Sequence, residues 1–223
     1  MTLWYGNNLM KKYYKTRLIG ATLVLEFKDA IPMTMMFMRF QEYGEGIPKI
    51  RDKDPVTEGD VLYHYYKRFG TIYYTAGYAG FNIRGDLFNE WKAKRGNIPY
   101  NKLEQELVDE VNNTFGAQFD RGNHFYIIAY VKDDKATKKH ELLHALYYLN
   151  ADYRYKVNEI LDSVSTKKAK KYLQSLDYTF GGKHGQWVLY DEIQAYVLSD
   201  DPEVFGLSNK TLRKLKKLKK EYF

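Results

Sequence analysis

His140 and His144 stand four positions apart with Glu141 between them, in the run Lys139-His140-Glu141-Leu142-Leu143-His144-Ala145. On a helix, positions i and i+4 lie one turn apart on one face, so both imidazoles reach a single metal ion while Glu141 projects beside it. That is donor spacing for metal-assisted hydrolysis: two nitrogens to hold zinc and a carboxylate to take a proton from water. The chain has no cysteine, so any transition metal must be held by histidine and carboxylate. A catalytic zinc takes three protein ligands and keeps a fourth position open, so a third ligand is expected downstream.

Glu192 is the chosen third ligand. It lies in Tyr190-Asp191-Glu192-Ile193-Gln194-Ala195-Tyr196, an amphipathic helix with Ala195 and Tyr196 on the same face, where a small residue permits close approach to a neighbouring helix. Its rivals are Asp191 next door and Glu159, which is close to the histidines in sequence and would have to fold back sharply. Surface ion pairing is the bland alternative for these acids, because exposed carboxylates are common. The isolated His64 and His124 are read as packed or surface histidines, since isolated histidines seldom serve as ligands.

The elements that position these groups follow from pattern. The first third reads as β-rich, with strands at Ala21 to Phe27 and Met33 to Phe40 forming a hairpin about Lys28 to Pro32. Thr57 begins a helix carrying Val61, Leu62, Tyr65, Tyr66 and Phe69 and ending at Gly70. Gly70 to Gly85 reads as short strands or loop with an aromatic surface. Helices follow at Asp86 to Lys94 and Asn101 to Phe115, then a strand at His124 to Val131, then the helix of the histidine pair. Further helices are expected at Tyr155 to Val164, Thr166 to Leu176 and Trp187 to Leu198, with a glycine-rich loop at Phe180 to Gly185. The organisation is a β-rich part over 1–98, a metal-site region over 99–208 and a basic helix or tail over 209–223, together one compact α+β domain.

From about Asn101 to Leu198 this order resembles the zincin metallopeptidases in the gluzincin arrangement: HExxH on one helix and a glutamate on a later one. The first hundred residues lie outside that likeness, although Phe37 to Glu42 and Gly80 to Ile83 also look like uncharacterised HExxH proteins of large viruses and phages. The 47 residues between His144 and Glu192 exceed the interval in thermolysin-like members, so the likeness is to looser gluzincin subfamilies. It implies a small sheet with an edge strand at Phe125 to Val131 that binds extended peptide by β-augmentation. It also implies Zn2+ on His140, His144 and Glu192, and Glu141 passing a proton from zinc-activated water to the leaving amine. Leu142 and Leu143 anchor the helix, and an oxyanion donor comes from the segment before the third ligand, His184 first and Tyr178 second.

Composition bounds the alternatives. At 44% hydrophobic and 28% charged residues, the chain suits a globular protein and neither a disordered nor a collagen-like one. Met1 to Tyr14 lacks a continuous apolar segment and no stretch approaches the roughly 18 apolar residues of a membrane span. The expected location is therefore cytoplasmic or virion-associated. Of the net charge of +7, Asn209 to Phe223 carries +6, from seven Lys/Arg against one Glu. That segment is read first as a solvated helix packing a narrow apolar stripe of Leu212, Leu215 and Leu218, whose deletion leaves metal binding intact. Nucleic acid or an acidic surface is the less favoured partner. Peptide or protein is the leading substrate, and the main rival is a non-catalytic structural protein, such as a virion component, using an aromatic surface around Tyr73, Tyr74 and Tyr78.

Overall fold

The computed structural model describes residues 13–44, 56–74, 78–116, 124–176, 178, 180, 185–199 and 202–223. The fold is α+β, and the chain divides into two compact units, Met1–Asp134 and Lys135–Phe223. The helix and strand of 102–131, expected to back the metal site, thus belong to the first unit, whereas both histidines and Glu192 belong to the second. No helix among the described residues is long and apolar enough to cross a membrane.

The first unit is built on a four-stranded mixed sheet with β1 (Tyr14–Ile19), β2 (Thr22–Phe27), β3 (Gly80–Arg84) and β4 (Tyr126–Val131) in the order β1-β2-β4-β3. The hairpin is β1 with β2, in which Ile19 pairs with Thr22 across Gly20 and Ala21. Gly20 takes φ +55°, the left-handed value that a two-residue hairpin turn demands of its first residue. Strand β4 lies between β2, parallel, and β3, antiparallel. The expected edge strand at Phe125 to Val131 is therefore interior, with both sides already bonded, and no peptide can add to it. Buried residues on both faces make it read as a continuous apolar run.

The second strand expected, Met33 to Phe40, is instead part of helix α1 (Ala30–Gly44). Asp29 accepts from the Ile31 amide at 2.7 Å, and Pro32 sits in the first turn, where a missing N–H costs nothing. From Met33 to Tyr43 every residue except Met35 is buried, so the helix has no polar face from which a helical period can be read. Met36, Phe37 and Phe40 join Leu25, Phe81 and Ala129 in the core. Arg39 is buried as well, donating at 2.6 Å through Nε to Glu104 and at 3.0 Å to the Pro99 carbonyl.

Helices α2 (Glu58–Phe69), α3 (Gly85–Lys94) and α4 (Lys102–Phe115) complete this unit. Reciprocal caps start two of them. Thr57 accepts from the Asp60 amide and Asp60 from the Thr57 amide, and Asn101 and Glu104 do the same. The aromatic surface expected around Tyr73, Tyr74 and Tyr78 is only partly there. Tyr73 is exposed, but Tyr74 is buried, and both Tyr74 and Tyr78 donate to buried Glu42, at 2.6 and 3.2 Å.

The second unit is helical: α5 (Lys135–Leu149), α6 (Ala151–Asp162), α7 (Lys167–Ser175), α8 (Gly185–Ser199), a short 3-10 turn Glu203–Phe205 and α9 (Asn209–Tyr222). Helix α6 begins four residues earlier than expected because Asn150 caps it, accepting from the Tyr153 amide at 2.9 Å. Its core joins Leu143 and Tyr147 of α5, Tyr153, Val157 and Leu161 of α6 and Ile193 of α8. Leu212, Leu215 and Leu218 of α9 belong to the same core. The basic segment is thus a packed helix, and its deletion strips apolar cover from the unit that carries the histidines.

Candidate metal centre

Helices α5 and α8 face each other and supply every group of the centre. His140 and His144 project from successive turns of α5, and Glu192 comes across from α8; one donor atom from each lies within 4.8 Å of the others. The two Nε2 atoms are 3.0 Å apart, and His144 Nε2 is 3.8 Å from Glu192 Oε2. Ligands about 2.0–2.2 Å from a tetrahedral zinc stand about 3.3–3.5 Å apart, so the observed separations bracket that spacing.

The far nitrogens fix which way the near ones face. His144 Nδ1 lies 3.0 Å from Asp191 Oδ1, and a carboxylate can only accept, so this nitrogen carries the proton. His140 Nδ1 lies 3.2 Å from Ser199 Oγ, which gives its own proton to the Ala195 carbonyl at 2.7 Å and is left to accept. Both Nε2 lone pairs therefore turn inward beside a carboxylate. Two such lone pairs at 3.0 Å repel unless a cation, a proton or a metal ion, lies between them.

The charge environment agrees. Burial lowers the His140 pKa to about 2, assisted by charge on His144. Burial alone would also depress His144, but Asp191 and Glu192 outweigh it and raise that pKa well above the usual value. The site thus stabilises one positive charge at His144 while keeping His140 neutral, and a metal ion can take the place of that proton.

Asp191 is held in turn. Gln194 Nε2 donates to Asp191 Oδ1 at 3.1 Å and to the Leu143 carbonyl at 3.2 Å, while its Oε1 accepts from the Tyr153 hydroxyl at 2.9 Å. One buried amide thereby ties α8 to α5 and α6. The Tyr196 ring stands edge-on to His140 at 4.6 Å between centroids, and its hydroxyl is 3.4 Å from that of Tyr178. Burial raises the Tyr196 pKa, with the charges of Glu192 and Glu141 adding to it.

Glu141 is buried, and its charge acts on both His144 and Tyr196. Leu143 is fully buried, whereas Leu142 is only partly so, and the anchoring of α5 falls to the former. Glu159 is exposed on α6 and takes no part. His64 and His124 lie in the other unit. His184 lies outside the described residues. Sequence reasoning did not assign roles to Ser199, Gln194 and Tyr196. The available signal was the cluster of Asp191, Glu192 and Gln194, three polar residues in the apolar middle of α8.

No protein-family model, curated protein or solved structure matches this chain.

Proposed function

We propose that the second unit is a zinc hydrolase of gluzincin type that cleaves peptide bonds, with His140, His144 and Glu192 as ligands and Glu141 as general base. One observation carries this reading: both Nε2 lone pairs converge beside the Glu192 carboxylate because Asp191 and Ser199 occupy both Nδ1 positions. A His2Glu donor set without thiolate suits zinc, whose borderline character accepts nitrogen and oxygen alike. When bound, zinc would polarise a substrate carbonyl and make water acidic enough to lose a proton near neutral pH.

The chain's own residues supply the rest. Glu141, fixed on the same helix turn as His140, receives the proton of the attacking water and hands it to the departing amine. Tyr196, whose ring stands against His140, and Tyr178, whose hydroxyl is 3.4 Å from that of Tyr196, are the phenolic donors available to oxygen charge that develops on the scissile carbonyl. Asp191 keeps the His144 ring turned so that Nε2 points at the centre.

Elemental analysis of protein purified without added metal, beside the Glu141→Gln variant assayed on a mixed peptide library, tests the reading. About one zinc per chain with turnover lost in the variant supports it. Stoichiometric zinc with equal cleavage by both proteins would refute the base, and absence of bound zinc would refute the centre.

A further inference from the structure

Helix α9 has two unlike faces. Leu212, Leu215 and Leu218 are buried in the core of the second unit, while Lys210, Arg213, Lys214, Lys216, Lys217 and Lys220 are all exposed. At about 100° per residue these six cations cover an arc of roughly 160° centred opposite the leucines, over a rise of about 15 Å. Among the described residues none of the six comes within ion-pair distance of a carboxylate. Glu159 and Glu221 line the groove that Lys214 and Lys217 share with α6, yet neither neutralises them.

We propose that this outward face of α9 binds double-stranded nucleic acid through its phosphates, independently of base sequence. Packing of the leucines and binding by the cations are not alternatives, because they use opposite faces of one helix. The same packing argues against a lipid surface: a helix that lies in a membrane interface buries its apolar side there, and here that side is committed to the core. It also argues against a single-stranded ligand. Such sites interleave cations with exposed rings on which bases stack, and no aromatic residue occurs between Lys210 and Lys220. Six unneutralised cations spread over three turns suit a duplex backbone, where each cation that meets a phosphate releases condensed counterions. The inference is independent of the metal centre, since no ligand or base residue lies on α9.

The test is fluorescence anisotropy of a short labelled duplex of arbitrary sequence with the full chain, across a salt series. Binding should weaken linearly in log salt, with a slope of about −4 to −5 if most of the six cations meet phosphates. The triple variant Lys210→Glu, Lys214→Glu, Lys217→Glu should lose at least about tenfold in affinity and flatten the slope by about three. A variant with the same change of net charge on α7, Lys167→Glu, Lys168→Glu, Lys171→Glu, should stay within about threefold of the parent, because those exposed lysines lie off the face. Should the reversed α9 variant misfold by circular dichroism, Lys→Gln at the same three positions serves in its place, with a flatter slope still expected. Salt-independent or absent binding, equal loss from the α7 variant, or tighter binding to anionic vesicles than to duplex at equal phosphate would each overturn the proposal.

Discussion

His144 donates from Nδ1 to Asp191 Oδ1 across 3.0 Å, and Asp191 is the residue immediately before Glu192. Neighbours on one helix turn therefore do different jobs for the same imidazole: one orients it, and the other faces its second nitrogen. Asp191→Asn keeps the shape but replaces a pure acceptor with an amide that can present either end. Zinc affinity should fall about 10- to 100-fold, measured by competition with a chromophoric chelator. An unchanged affinity would mean that the ring needs no orienting carboxylate.

Glu192→Gln removes a proposed ligand charge with almost no change of volume and should weaken zinc more than Asp191→Asn does. His140→Ala and His144→Ala should each abolish stoichiometric zinc in protein that still gives the parent's helical circular dichroism. Full zinc retention in both histidine variants would place the metal elsewhere in the chain.

Glu141→Gln should retain zinc and fold while slowing peptide hydrolysis by about 10²- to 10⁴-fold, the usual contribution of a general base. Its readout is the ratio of turnover to bound zinc, which separates loss of the base from loss of the metal.

The candidate group was legible in the sequence as far as His140, His144 and Glu192, because the HExxH spacing is a local property of one helix and Glu192 lies beside the small Ala195 on a later helix that can approach it closely. Its supporting contacts were not. Ser199 meets His140 over 59 positions and Gln194 meets Leu143 over 51, distances that depend on how closely α5 and α8 approach. In the fold, helices α2 and α4 were legible because Val61, Leu62, Tyr65 and Phe69 in one, and Leu103, Leu107, Val108 and Val111 in the other, recur at helical spacing. Helix α1 was not, since burial on nearly every side erased its period. Strand β1 was missed for the opposite reason: five of its six residues are exposed, so it shows no alternation of buried and exposed positions.

Tyr130 in the sheet predicts an alkaline transition. Its hydroxyl donates to Glu26 at 3.0 Å and accepts from Arg17 at 2.8 Å, and burial together with Glu26 raises its pKa to about 12. A tyrosine whose folded pKa exceeds its unfolded value near 10.0 favours folding while protonated. That contribution is complete below about pH 10 and is lost as the pH rises through about 12. Thermal melts of the parent should therefore fall more steeply over that window than those of Tyr130→Phe, which has no proton to lose.

The role of α9 in holding the second unit together separates its two faces in a single experiment. Leu215 is completely buried among α6 and α8 side chains, so Leu215→Ala should cost about 2–5 kcal/mol in denaturant unfolding, the range for a buried leucine that leaves a cavity. Lys217→Ala, on the exposed side and without an ion-pair partner among the described residues, should stay within about 0.5 kcal/mol. Truncation after Ser208 removes Leu212, Leu215 and Leu218 together and uncovers the core that holds Leu143, the neighbour of His144. The truncated chain should consequently lose zinc and cooperative unfolding in step, and the loss of zinc should be restored by no increase in metal concentration short of one that refolds the unit. If instead the truncated protein melts as the parent does and keeps its zinc, the leucine stripe contributes little to the unit, and α9 is an appendage whose cations alone matter.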